Sequence, residues 1–185
     1  MNNFLRGAAV VGQSGGPTVA INATLGGVIK SAVSNEYITK LYGMSNGIEG
    51  FLEGRMIDLN SEFAPDGKLD EDKLALLCQT PAAALGSCRK KLPNPKDDTT
   101  VFDKLLEIFK ANDIRYFFYI GGNDSMDTVY KLSVYLETKD YAMRVVGLPK
   151  TIDNDLMGTD HTPGYGSAAK FIATTMQEIV RDCDV

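Results

Sequence analysis

The chain has 185 residues, which is enough for one substantial domain and too few for two of ordinary size. Hydrophobic residues make up 44% of it, as in a typical globular protein, and no apolar run approaches membrane-spanning length. The formal net charge of −5 argues against nucleic acid as a partner. It leaves phosphorylated small molecules open, because these need only local positive charge.

The cysteines predict a reducing compartment. Cys78, Cys88 and Cys183 are odd in number and show no CxxC spacing, so we expect free thiols without a disulfide or a zinc site. The opening segment, residues 1–6, lacks the apolar core and the small-residue cleavage site of a signal peptide. Both observations favour a cytoplasmic protein with no membrane partner.

Strands and helices are predicted to alternate along the chain. In order, they are a strand at 6–12, a helix from Pro17 to about 34, a strand at 37–42, a helical turn at 47–53, a short edge strand at 56–59, helices at 70–79 and 98–112, a strand at 114–120, a helix at 124–138, a strand at 144–148 and a helix at 164–182. Residues 80–91 are expected to form a loop with a little strand. Such alternation predicts an α/β fold, a Rossmann-like three-layer αβα domain with a mainly parallel sheet.

Three of the predicted strands end in segments suited to anions. The first runs into the turn Gly12–Gly16, and the strand at 114–120 runs into Gly121–Ser125. Glycines at such places let backbone N–H groups approach a phosphate at the positive end of a helix. The strand at 144–148 ends in Pro149–Asp155, which contains a lysine, a threonine and two aspartates. Open α/β sheets bind ligands beyond the carboxyl ends of their strands, so we expect one anion-binding rim.

Asp153 and Asp155 are separated by one residue and can divide two tasks. One carboxylate can take a proton while the other holds a metal ion, and Lys150 can face an anion. This combination indicates phosphoryl transfer.

These segments carry a specific resemblance. Gly15-Gly16, Gly86-Ser-Cys-Arg89, Gly121-Gly-Asn-Asp-Ser125 and Pro149-Lys-Thr-Ile-Asp-Asn-Asp155 occur in the order found in phosphofructokinases. The match covers essentially the whole chain, from Val10 to the last helix. With Asp124 and Lys150, the chain is similar to the pyrophosphate-dependent branch of that family.

The resemblance implies roles for the acceptor side of the site. Asp153 would be the general base that takes the proton from the 1-hydroxyl of fructose 6-phosphate, and Thr151, Ile152 and Asp153 would contact that substrate. Arg89 would bridge the donor and acceptor phosphates, since a planar guanidinium suits that task. Two alternatives stay open: Asp153 caps a turn, or Arg89 is a solvated arginine in a run of basic residues.

The resemblance also implies a donor side. Its expected donor-binding residues are Gly15, Gly16, Gly121, Gly122, Asp124 and Ser125. Lys150 and Asp124 would select the donor, because glycine commonly stands at both positions in the ATP-dependent form. Asp124 would occupy and charge the space of a nucleotide's α-phosphate, and Lys150 would neutralise pyrophosphate. Alternatively, Lys150 forms a plain ion pair with Asp153 or Asp155.

Mg²⁺ is the implied cofactor. Asp155 is its expected carboxylate ligand, and Asn123 its expected second ligand, because an amide oxygen can coordinate Mg²⁺. Many relatives have aspartate at the position of Asn123. His161, the only histidine, is expected to be structural.

The resemblance implies that residues 1–185 form an amino-terminal donor-binding and catalytic domain, without the second, sugar-phosphate-binding domain. The full-length enzyme would be a homo-oligomer that transfers a phosphoryl group from pyrophosphate, or alternatively from ATP, to fructose 6-phosphate. An alternative of another class is a non-catalytic nucleotide-binding module. Such a module would require a GxGxxG motif after the first strand. The sequence at that place is Gly12-Gln-Ser-Gly-Gly-Pro17, which does not match the motif.

Overall fold

The computed structural model describes residues 4–185. Residues 1–3, which belong to the opening segment discussed above, lie outside the described residues. The described range contains five strands and seven helices. In chain order they are β1 (Gly7–Gln13), α1 (Ala20–Val33), β2 (Ile38–Met44), α2 (Gly47–Leu52), β3 (Met56–Asp58), α3 (Leu59–Phe63), α4 (Glu71–Gln79), α5 (Thr100–Ala111), β4 (Ile114–Gly121), α6 (Asn123–Glu137), β5 (Arg144–Pro149) and α7 (Tyr165–Cys183).

The strands form one sheet in the order β3-β2-β1-β4-β5. The pairs β1–β2, β1–β4 and β4–β5 are parallel, and the short edge strand β3 is antiparallel to β2. The predicted α/β fold with a mainly parallel sheet is confirmed. Because β1, β4 and β5 are neighbours and point the same way, the three segments that follow them meet at one edge of the sheet.

Helices cover both faces of the sheet, and β1 contributes to both cores. Successive side chains of a strand point to opposite faces. Ala8 and Val10 pack with residues of α2, α5 and α6, whereas Ala9 and Val11 pack with residues of α1, α3 and α4. The result is the predicted three-layer arrangement.

Three local predictions differ from the structure. Helix α1 begins at Ala20 rather than at Pro17, because the Thr18 hydroxyl accepts the N–H of Ala20 at 3.2 Å and extends the turn after β1. Residues 80–91 contain no strand. Helix α3 was not expected, although Asp58 caps it by accepting the N–H groups of Asn60 and Ser61 at 3.1 and 3.2 Å.

Helix α7 has no buried residue. Its exposed apolar side chains are Phe171, Ile172, Met176, Ile179 and Val180. Strand β5, at the sheet edge, has only exposed and partly buried positions. The apolar side chains of α7 are therefore uncovered in the described structure.

All three cysteines are free thiols, as predicted. Within residues 4–185, none of the helices combines the length and the apolar character needed to cross a membrane.

Candidate active site

A cleft of about 460 Å³ lies at the carboxyl edge of β1, β4 and β5. It is lined by the segments that follow these three strands and by two residues of the loop between α4 and α5. The lining residues are Ser14, Gly15, Gly16, Pro17, Thr18, Arg89, Lys90, Gly122, Asn123, Asp124, Ser125, Lys150, Thr151, Ile152 and Asp153. The rim expected from the strand ends therefore exists as a single cavity.

The turn after β1 is tied to the loop that carries Arg89. Gly15 has φ +76°, a left-handed conformation that favours glycine, and its N–H donates to the Cys88 carbonyl at 3.0 Å. The Ser87 hydroxyl donates to the Gly15 carbonyl at 2.6 Å, and the Ser14 hydroxyl donates to the Cys88 carbonyl at 3.2 Å. These bonds place Arg89 beside the turn, where its Nη2 lies 3.5 Å from the point that a Cβ on Gly16 would occupy.

A buried amide pair holds the earlier part of the same loop. Asn22, on α1, donates to the carbonyls of Thr80 and Ala82 at 2.8 and 2.9 Å. Its Oδ1 accepts from Ala84 N–H at 3.0 Å and from Gln13 Nε2 at 2.9 Å. All four hydrogen-bonding positions of the Asn22 amide are thus used, and the loop that leads to Arg89 is fixed against β1 and α1.

Lys150 is buried, with 3% of its surface exposed, and its Nζ donates to the Gly16 carbonyl at 2.5 Å. Burial lowers the pKa of its ammonium, the Arg89 charge lowers it further, and Asp153 opposes both. No ion pair among residues 4–185 includes Lys150, so the expected alternative of a pair with Asp153 or Asp155 is absent there. A cation aimed at the glycine turn is placed to meet an anion bound on that turn.

Asp124 lines the same cleft from the first turn of α6. Its Oδ1 is 3.0 Å from Lys91 Nζ, and both side chains are more than 70% exposed. Lys91 does not line the cleft itself. An ion pair this exposed is weak, so it leaves the Asp124 carboxylate available to the cleft.

The glycine pair at the end of β4 brings the start of α6 close to the segment that follows β5. Lys150 N–H donates to the Gly121 carbonyl at 2.9 Å. A Cβ on Gly121 would overlap the buried Ser125 side chain, which explains a glycine at this position. The first N–H groups of an α-helix have no partner within the helix, so this terminus suits a phosphate.

Asp153 is exposed at the mouth of the cleft. Its N–H donates to the Thr151 hydroxyl oxygen at 3.0 Å. Within residues 4–185 its carboxylate makes neither a hydrogen bond nor an ion pair, so the structure lends no support to the alternative that it caps a turn. Ile152 between them is 51% exposed and faces the same space.

The two expected magnesium ligands lie together, and of the two Asn123 lines the cleft. Asn123 Nδ2 donates to Asp155 Oδ2 at 2.6 Å, and both residues are exposed. The residues described by the structure include no group of three or more His, Cys, Asp or Glu side chains placed to hold a metal ion. One carboxylate with a neighbouring amide fits an ion that takes most of its ligands from substrate phosphates and water. In this arrangement Asn123 turns an N–H, and not its oxygen, toward Asp155.

The structure thus places eleven of the expected site residues on one cleft, and leaves Gly121 and Asp155 outside its lining. Ser14, Pro17, Thr18 and Lys90 line the cleft and were not expected to do so. Ser14, Pro17 and Thr18 belong to the same turn as the glycine pair, so their position there was the available clue. His161 is exposed and lies outside the lining, with its ring 6.1 Å from that of Tyr165.

Comparison with known proteins identifies the family. The family model described as Phosphofructokinase matches residues 8–184. The chain belongs to the phosphofructokinase family.

Within that family, the chain is 44% identical over 175 residues to the pyrophosphate–fructose 6-phosphate 1-phosphotransferase of Halomonas elongata, covering 94% of this chain and 40% of that protein. An ATP-dependent 6-phosphofructokinase of Propionibacterium freudenreichii is 33% identical over 164 residues, covering 87% of this chain and 39% of that protein. The pyrophosphate-dependent phosphofructokinase structure from Nitrosospira multiformis has 41% identity and a TM-score of 0.83, covering 96% of this chain and 42% of that one. This phosphofructokinase chain spans about 40% of the length of the curated relatives it matches.

Proposed function

We propose that this chain forms the donor-binding and catalytic part of an enzyme that transfers a phosphoryl group from pyrophosphate to the 1-hydroxyl of fructose 6-phosphate. The observation that carries the proposal is that two charged side chains, Lys150 and Asp124, line the same cleft. Lys150 is buried against the Gly16 carbonyl, and Asp124 stands on the first turn of α6.

Asp124 and Lys150 favour the smaller donor. Pyrophosphate is compact, so it fits a cleft whose space is reduced by two charged side chains. A nucleotide would have to place its α-phosphate beside the Asp124 carboxylate. The identities agree with this choice, since the pyrophosphate-named relative is 44% identical and the ATP-named one is 33% identical.

The proposed reaction uses the chain's residues in three tasks. The Asp153 carboxylate accepts the proton of the sugar hydroxyl as that oxygen attacks the terminal phosphorus of pyrophosphate. The bond from that phosphorus to the bridging oxygen breaks, and phosphate leaves. Lys150 and Arg89 stabilise the charge on the phosphate oxygens, while Thr151 and the glycine turns orient the two substrates.

A bound Mg²⁺ would neutralise charge on the pyrophosphate oxygens. Asp155 is the residue of this chain best suited to hold it, with Asn123 contributing if its amide turns. The described residues supply few of the oxygen ligands that Mg²⁺ requires. This supports an ion that binds together with the substrate phosphates.

The sugar site requires more than these residues. Among the described residues we assign only Thr151, Ile152 and Asp153 to the acceptor, so we propose that a further domain binds the sugar phosphate and that the complete enzyme works as a homo-oligomer in the cytoplasm. The uncovered apolar side of α7 supports a contact with additional protein surface.

A donor comparison tests the proposal. In the protein that carries this chain, fructose 1,6-bisphosphate formation is measured with pyrophosphate and with ATP at saturating Mg²⁺. We expect pyrophosphate to be used far better, and comparable efficiency with ATP would overturn the proposal. Replacing Asp124 and Lys150 together by glycine should harm pyrophosphate use and relax the block on ATP, whereas the control Lys96→Gly, outside the cleft, should change neither.

A further inference from the structure

The loop between β5 and α7 is closed at its base. Thr151 pairs with Gly164 in an isolated parallel bridge, and Thr151 N–H donates to the Pro163 carbonyl at 3.0 Å. The buried Thr162 hydroxyl donates to the Thr151 carbonyl at 3.0 Å. Residues 151–164 therefore leave the sheet and return to the same point.

Asn154 joins the two halves of this loop. Its Nδ2 donates to the Asp160 carbonyl at 3.1 Å, and its Oδ1 accepts the N–H of Thr162 at 3.0 Å. Asn154 also has φ +54°, in the left-handed region that asparagine tolerates better than most residues. We refer to these two hydrogen bonds as the Asn154 brace.

The brace lies between the two carboxylates to which the proposed function assigns chemistry. Asp153 and Asp155 are both exposed. The side chain of Asn154 makes the hydrogen bonds to the other half of the loop, and the Asp153 carboxylate makes none there. The left-handed turn at Asn154 sets the direction in which the chain presents its two neighbours. Their placement therefore depends on Asn154.

We propose that Asn154 is a positioning residue for phosphoryl transfer, which holds the Asp153 carboxylate toward the acceptor hydroxyl through the brace and its left-handed backbone. The inference rests on the proposed function, in which Asp153 is the general base. Asn154 touches neither substrate in this role, and it does not line the cleft.

Two substitutions separate the side chain from the backbone. Asn154→Gly keeps the left-handed conformation without strain and removes the brace, whereas Asn154→Ala removes the brace and disfavours that conformation. We expect Asn154→Gly to lower kcat about ten- to hundredfold, because small displacements of a reacting group have effects of that size, and to change KM for pyrophosphate much less. Asn154→Ala should lower kcat at least as much. The matched control is Asp113→Gly, since Asp113 has φ +47° and precedes β4, at the opposite end from the cleft.

An Asp153→Asn background tests whether the effect passes through the base. There, Asn154→Gly should lower the residual turnover by less than about threefold, because residues that act as a unit are strongly non-additive. An equal loss in both backgrounds, or a kcat for Asn154→Gly within a factor of two of wild type, would overturn the proposal.

Hydrogen exchange gives a readout independent of activity. In the 185-residue chain, the Thr162 amide should be protected and should lose that protection in Asn154→Gly but not in Asp113→Gly. Unchanged protection would overturn the brace itself. If the wild-type enzyme transfers nothing from pyrophosphate, the proposed function fails, and Thr162 exchange still decides whether the brace exists.

Discussion

The buried amide of Asn22 offers the sharpest test of how the fold positions Arg89. Asn22→Ala removes four hydrogen bonds that join α1, β1 and residues 80–84. Each such bond contributes about 0.5–1.5 kcal/mol net, so the variant should lose roughly 2–6 kcal/mol of unfolding free energy. That is a large part of the about 5–15 kcal/mol of a typical domain.

Urea unfolding of the 185-residue chain measures this loss, as a shift of the midpoint at unchanged slope. The control is Asn35→Ala, because Asn35 is exposed and its side chain accepts a single hydrogen bond, from Tyr37 N–H at 2.9 Å. Asn35→Ala should cost about 1 kcal/mol or less. A loss at Asn22 no larger than that at Asn35 would refute the argument that the amide holds the loop.

Three further predictions concern the base, pH and the uncovered helix. In the protein that carries this chain, Asp153→Asn should lower turnover about 10²–10⁴-fold with little change in fructose 6-phosphate binding, and a tenfold loss or less in steady-state turnover would place the base elsewhere. Hydrogen bonds from the hydroxyls of Thr99 and Tyr135 lower the pKa of Asp103 to about 2. The contribution of Asp103 to stability should therefore be complete above about pH 4 and disappear as the pH falls toward 2. Asp103→Asn should flatten the pH dependence of the urea midpoint over that range, and an unchanged pH dependence would contradict this prediction. The 185-residue chain should self-associate through α7, and light scattering should show less association for Phe171→Lys than for Lys170→Ala. The same chain should bind pyrophosphate weakly without transferase activity, and robust turnover would show that the sugar site lies within this chain.

Much of the fold followed from local patterns. The apolar run of β4 and the helical spacing after it depend only on neighbouring residues, and both elements occur within a residue or two of the predicted limits. The rule that parallel strands present their carboxyl ends at one edge then brought Gly15, Asp124 and Lys150 to one cleft. Sequence and topology were sufficient to name most of the cleft's residues.

The partners of those residues could not be predicted, because they depend on side-chain directions across long separations. Lys150 was expected to face a carboxylate or a ligand, and its acceptor is the carbonyl of Gly16, 134 residues earlier. Asp124 pairs with Lys91, on a loop without regular structure whose path is set by Asn22. Nothing in the local sequence of any of these residues indicates the contact.

The buried lysine links the stability of the chain to its proposed chemistry. Burying an ammonium costs free energy unless it is paired, and the lowered pKa of Lys150 reflects that cost. The Gly16 carbonyl satisfies one of its N–H groups and supplies no negative charge. Nearby Arg89 adds to the cost, and Lys90 also lines the cleft, so three cations there face the two carboxylates of Asp124 and Asp153. A compact polyanion bound on the glycine turn would balance the excess positive charge, and the desolvation of Lys150 would strengthen its attraction to the anion. The arrangement therefore favours a ligand that concentrates negative charge near Gly15 and Gly16, as linked phosphate groups do.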